Sequence, residues 1–94
     1  MYWGTGRIST KQTVSYTGTA GTITNPVGAQ TYKVRVVCTT DAYVLTVDGA
    51  TVATAATGAY VPALAVEYFT ITPGQKVSAI QVASGGTLEV VEIT

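Results

Sequence analysis

The chain predicts an all-β fold, a small antiparallel β-sandwich or jelly-roll-like barrel of about seven to eight short strands. Three observations carry this. Thr, Val and Ala are the commonest residues and Tyr supplies six of the eight aromatics, so much of the chain favours a pleated, half-buried surface. Apolar and polar residues alternate over short runs, the period of a strand. Ten Gly and three Pro punctuate those runs at close spacing. The best helical stretch, residues 50–59, is Ala-rich, but its interleaved Thr and Val and the Asp48-Gly49 before it argue for a strand.

Taken in order, residues 1–11 read as an N-terminal arm, and residues 12–94 as one β-sandwich domain. Residues 12–17 form a strand with Val14 and Tyr16 on one face. Residues 18–30 are mainly turn, with a short strand at 22–24. Residues 31–38 alternate Tyr32, Val34, Val36 and Cys38 toward the core against Lys33, Arg35 and Val37. Thr39-Thr40-Asp41 turns the chain into a strand over 42–47. Asp48-Gly49 then predicts a type I′ hairpin that pairs Val47 with Ala50, Leu45 with Val52 and Tyr43 with Thr54. Residues 58–69 cross the sandwich, with Pro62 interrupting pairing. Pro73-Gly74 fits a type II turn between strands at 66–72 and 76–83. Ser84-Gly85-Gly86 predicts a three-residue hairpin loop that sets Val82 opposite Leu88 and Ile80 opposite Val90. The last strand, 87–93, is apolar on both faces, which marks a central strand or a subunit interface.

Composition bounds the function. Hydrophobic residues make up 47% of the chain and charged residues only 11%, against roughly 25% in an ordinary soluble domain. Five basic and five acidic residues cancel, which leaves self-association unopposed and disfavours a nucleic-acid partner, since phosphate binding needs clustered Lys and Arg. No apolar run has the length of a signal peptide core or a membrane span, so synthesis in the cytoplasm without classical export, and no membrane partner, are expected. Cys38 has no second cysteine to pair with and reads as a buried, inert thiol.

Catalytic chemistry finds little to stand on. Without histidine, Ser-His and Cys-His pairs are impossible and the commonest zinc ligand is missing. Lys76 and Ser78 share a strand face, but a solvated edge is the simpler reading. Asp41 and Asp48 are explained by turns, while Glu89 and Glu92 point to opposite faces of one strand. The Gly4-Thr5-Gly6 run lacks the third Gly, the preceding strand and the following helix of a nucleotide fingerprint. No enzyme activity, cofactor or metal is therefore expected. The interface candidates are Tyr2, Trp3 and Arg7 in the arm, and Tyr60 and Tyr68 beside the Pro62 crossing. The aromatics among them are favoured interface anchors. Tyr60, Tyr68 and Phe69 also fit a role in closing one end of the core. Lys33 and Arg35 read as a solvated face, or as a contact for an acidic partner.

Thr39 to Asp41, Val61-Pro62, Glu67 to Phe69, residues 73–82 and residues 85–88 follow one another in a pattern that resembles a group of small virion proteins of tailed bacteriophages. The resemblance covers about two-thirds of the chain and excludes the arm with Tyr2 and Trp3. It implies a β-rich structural protein of the head, similar to the decoration (cement) proteins that bind the capsid exterior, often as trimers. The partners so implied are the major capsid protein and two further copies of this chain, and the location is the virion surface. The rival expectation is a tail or head-fibre module that binds host-surface carbohydrate through Trp3, Tyr60 and Tyr68. An immunoglobulin-like adhesion module is disfavoured by the absence of a disulfide and an export signal.

Overall fold

The computed structural model describes residues 8–93, and these form eight strands and no helix. The strands are β1 (Ile8–Tyr16), β2 (Gly21–Thr22), β3 (Lys33–Cys38), β4 (Ala42–Val47), β5 (Ala59–Val61), β6 (Glu67–Thr70), β7 (Lys76–Gln81) and β8 (Gly86–Ile93). One sheet has the order β1-β8-β3-β6 and the other β2-β7-β4-β5, with every pairing antiparallel. Four of the pairs join the first strand to the last, the second to the seventh, the third to the sixth and the fourth to the fifth. This is one long hairpin, doubled over and closed by the β3–β8 and β4–β7 pairs. It is the strand order of an eight-stranded jelly roll, and the predicted all-β sandwich holds.

The period-two alternation of the sequence sets the core. Val34, Val36 and Cys38 of β3, Leu88 and Val90 of β8, and Tyr16 of β1 face Ala42 and Val44 of β4, Val77 and Ala79 of β7 and Val61 of β5, all of them buried. Ile23, Val27 and Ile71 fill one end, and Val14 and Phe69 pack at the margin. On the outer face of the first sheet, Glu89 reaches both Lys11 (3.3 Å) and Arg35 (3.5 Å) on its two neighbouring strands. β8 is an interior strand of its sheet, the first of the two readings its apolar pattern allowed; Val91 and Ile93 are buried on the outer side.

Several local expectations are corrected. Residues 8–11, assigned to the arm, belong to β1, which pairs with β8 through a bulge between Ile8 and Lys11. Residues 1–7 of the arm lie outside the described residues. Tyr32 precedes β3 and is exposed instead of joining the core row. The two C-terminal hairpins do not form. β6 and β7 lie in different sheets, and so do β7 and β8. Thr72 to Gln75 does make the type II turn, with the Thr72 carbonyl accepting from Gln75 N–H and Gly74 at a φ of 91°, but it carries the chain from one sheet to the other. Val82 is exposed and does not face Leu88. The physical reason is that residues facing each other across a sandwich core are matched in apolarity just as cross-strand neighbours are. Local patterning does not separate the two arrangements.

The Asp48-Gly49 hairpin is replaced by a flap. Gly49 alone has positive φ (58°) in this turn, so it is not type I′, and Tyr43 pairs with Tyr60 instead of Thr54. Thr54 and Thr57 bond each other through backbone and side chain, a turn that competes with ladder formation. The flap folds over the outer face of the second sheet, where Ala53 N–H donates to Ser78 Oγ (3.0 Å) and Val47 and Ala53 are buried apart from the main core.

Candidate functional site

Four connections meet at one end of the sandwich: 17–20, 39–41, 62–66 and 82–85. The Thr39-Thr40-Asp41 turn joins them. Thr39 exchanges two bonds with Thr87, donating from its N–H (3.0 Å) and accepting at Oγ1 (2.8 Å). Thr40 donates from Oγ1 to the Ser84 carbonyl (3.0 Å), and its own carbonyl accepts from the Tyr16 hydroxyl (2.7 Å). Asp41 accepts from Ala63 N–H at Oδ1 (2.8 Å) and from Val82 N–H at its carbonyl (3.3 Å). A glycine is required at position 86 because a Cβ there would lie 2.5 Å from Thr40 Oγ1 and 2.8 Å from the Tyr16 hydroxyl. Burial raises the Tyr16 phenol above its ordinary value, partly offset by its bonds to Thr40. Cys38 lies beside it, buried, with its thiol also raised by burial. The expectation of a buried cysteine holds. A shallow cleft of about 240 Å³ lies over the turn, lined by Thr39, Thr40, Asp41, Ala63, Ala83 and Ser84.

The segment that crosses from β5 in one sheet to β6 in the other carries exposed apolar side chains along its length. Leu64 is 72% exposed, Tyr60 54%, Tyr68 46% and Val66 44%. Leu64 has φ 61°, the one non-glycine with positive φ among the described residues. Its N–H donates to the Cys38 carbonyl (2.8 Å), and the neighbouring Ala63 and Ala65 N–H groups are also bonded. The backbone therefore holds a bulky side chain outward in a conformation that costs on the order of 1–2 kcal/mol. β6, at the rim of its sheet, has four residues and carries no Lys, Pro or bulge, its one charge being the exposed Glu67. The other rim strands are blunted: β2 and β5 have two and three residues, Pro62 follows β5, and β1 carries Lys11 and a bulge.

Of the predicted interface residues, Tyr2, Trp3 and Arg7 lie outside the described residues. Tyr60 and Tyr68 are exposed, so neither closes the core; Phe69 does that work. They project from the outer faces of opposite sheets, Tyr60 opposite Tyr43 and Tyr68 opposite Arg35, and so do not form one platform for a sugar ring. Tyr60 packs edge-on against Tyr43 at 6.2 Å, and the adjacent Asp41 carboxylate pushes its phenol up. Ser78 is not a free hydroxyl beside Lys76: it is buried, and its Oγ accepts from both Ala53 N–H and Thr22 Oγ1. No three His, Cys, Asp or Glu side chains among the described residues group as a metal site.

Sequence reasoning missed Leu64, Val66 and Glu92. Leu64 and Val66 belong to a run of apolar residues after Pro62 with no strand period, which carries no signal of direction. Glu92 was legible as an acid on the core-facing row of Leu88 and Val90. At the end opposite the Thr39–Asp41 turn, it is 5% exposed, and its Oε1 accepts from Gly28 N–H (2.9 Å) and Thr31 Oγ1 (2.6 Å). It lines a cleft of about 510 Å³ with Gln12, Asn25, Gln30 and other small or polar residues. No family model, no curated protein and no solved structure matches the chain.

Proposed function

We propose that this chain is a non-enzymatic structural virion protein, a head decoration protein of a tailed bacteriophage that binds and bridges major capsid subunits on the capsid exterior. The observation that carries this reading is the run of exposed apolar residues along the β5-to-β6 crossing, Tyr60, Leu64, Val66 and Tyr68, with Leu64 held outward by a hydrogen-bonded backbone. A decoration protein needs no chemistry; it needs a rigid body and an exposed contact surface. The residues that carry the resemblance support the same reading. Thr39 to Asp41 ties the loop end together, Val61-Pro62 leads into the exposed crossing, and Glu67 to Phe69 lie in the rim strand β6. Jelly rolls recur among capsid proteins, although a fold does not by itself assign a role.

In this proposal each copy buries on the order of 1,000 Å² in total against its partner, and a homotrimer multiplies weak contacts into stable attachment. Residues 1–7 act as a further clamp on a neighbour. The test is electron cryo-microscopy of intact particles. Density for the chain on the outer capsid surface, with the β5–β6 side against the shell, is the expected result; density confined to the tail would overturn the reading. Deleting residues 1–7 is expected to lower capsid occupancy, and unchanged occupancy would remove them from the mechanism.

A further inference from the structure

The cleft around Glu92 lies at the opposite end of the sandwich from the Thr39–Asp41 turn and bears on no part of the virion reading. The buried carboxylate commits one oxygen to the protein. Oε1 takes the bonds from Gly28 and Thr31, and through them holds the 28–31 turn, which is closed by Thr31 N–H donating to the Gly28 carbonyl. Oε2 has no such bond. It is not sealed in the core either, since no fully buried side-chain oxygen among the described residues lacks a partner. Oε2 therefore opens into the cleft that Glu92 lines.

Electrostatics decides what the cleft accepts. Among the described residues, Glu92 is the one charged residue in its lining, and the other polar lining groups are hydroxyls and amides: Ser9, Thr10, Gln12, Asn25, Gln30 and Thr31. Among the described residues both ion pairs belong to Glu89, so neither compensates Glu92. A carboxylate that is largely removed from water and lacks a counter-charge favours a cationic ligand. The cleft, at about 510 Å³, is much larger than an ammonium group needs, and its rim offers further acceptors. A guanidinium, planar and carrying five donors, uses one carboxylate oxygen and several neutral acceptors together.

We propose that this cleft binds the guanidinium of an arginine side chain from a partner polypeptide, with Glu92 Oε2 as the charged acceptor. The test is a titration of the full chain, followed at the backbone amides of Gly28 and Thr31. The probe is N-acetyl-arginine amide, compared with the lysine analogue and with the citrulline analogue, which keeps the shape and loses the charge. Saturable shifts at both amides are expected with the arginine probe. The citrulline probe should bind at least about tenfold more weakly, and so should the lysine probe, because a charge-assisted bond or a planar set of bonds is lost. E92Q keeps an oxygen for Gly28 and Thr31 and is expected to remove the binding. Gly28→Ala places a methyl 3.5 Å from Glu92 Oε1, an ordinary contact that leaves the fold intact, and it should weaken the arginine probe several-fold. Equal binding of arginine and citrulline probes overturns the proposal, as does the absence of any shift up to about 20 mM probe. Equal binding of the lysine probe overturns the assignment to guanidinium. If E92Q does not fold, the three-probe comparison on the unchanged chain still decides.

Discussion

Leu64 shows how a single residue can set stability against binding. Its positive φ is strained for a γ-branched side chain, and its side chain touches solvent. Leu64→Gly is expected to raise unfolding free energy by about 1 kcal/mol in urea denaturation, since strain relief exceeds the added entropy of the unfolded glycine. The same change should weaken capsid attachment, because it removes the most exposed apolar side chain of the crossing. Tyr16 acts inward. Tyr16→Phe deletes a hydroxyl that donates to the Thr40 carbonyl and accepts from Thr40 N–H (3.2 Å), and a loss of about 1–2 kcal/mol is expected. Tyr16 and Cys38 also contribute a loss of stability at alkaline pH. Both folded-state values are raised by burial, so the unfolded chain releases these protons first. Their contribution is complete below about pH 9 and declines as pH rises through the folded values. Thermal unfolding at stepped pH should show this fall, and it should shrink in Tyr16→Phe.

Among elements, the flap and the rim strand separate cleanly. The flap between β4 and β5 hangs on Ser78, whose Oγ accepts from Ala53 N–H. Ser78→Ala leaves that buried N–H without its acceptor, and a cost of about 1–3 kcal/mol is expected. Hydrogen exchange at Ala53 should accelerate beyond the global change. β6 makes the opposite case. Tyr68→Lys sets a cation opposite Arg35 and should cost up to about 1 kcal/mol of stability, while a cation on the rim blocks edge pairing and lowers capsid binding. Most of the strands were legible in the sequence, β4 to the residue, because alternation and turn residues fix where a strand lies; β5 was hidden in the stretch read as a crossing, and the strand expected over 50–59 is part of the flap. What was not legible is which strands become neighbours. Val77 and Ala79 of β7 and Leu88 and Val90 of β8 are matched apolar rows, and they meet across the core. The flap escaped because Asp48-Gly49 encodes reversal of the chain but not the distance before pairing resumes. Tyr60 and Tyr68, singled out by residue type alone, are exposed, whereas the outward placement of Leu64 depended on a backbone angle that no residue pattern records.

On the scale of the molecule, the strand order determines the folding rate. Only β4 and β5 are both consecutive in the chain and paired, so nearly all pairing waits for distant segments to meet. Folding in the range of milliseconds to seconds is expected, measurable as the slow limb of a stopped-flow chevron. The long doubled hairpin also brings β1 and β8 side by side, with Ile8 opposite Ile93 at one end and Tyr16 opposite Gly86 at the other. That geometry has a mechanical consequence. Tension applied through Ile8 and Ile93 acts across the ladder at its open end, so its rungs break in succession instead of shearing together. Load drawn along the rim strand β6 runs parallel to its ladder with β3, so those rungs are loaded together in shear. The molecule should therefore be a weak tether when pulled by its first and last strands, and a stiff rivet when pulled along its rim.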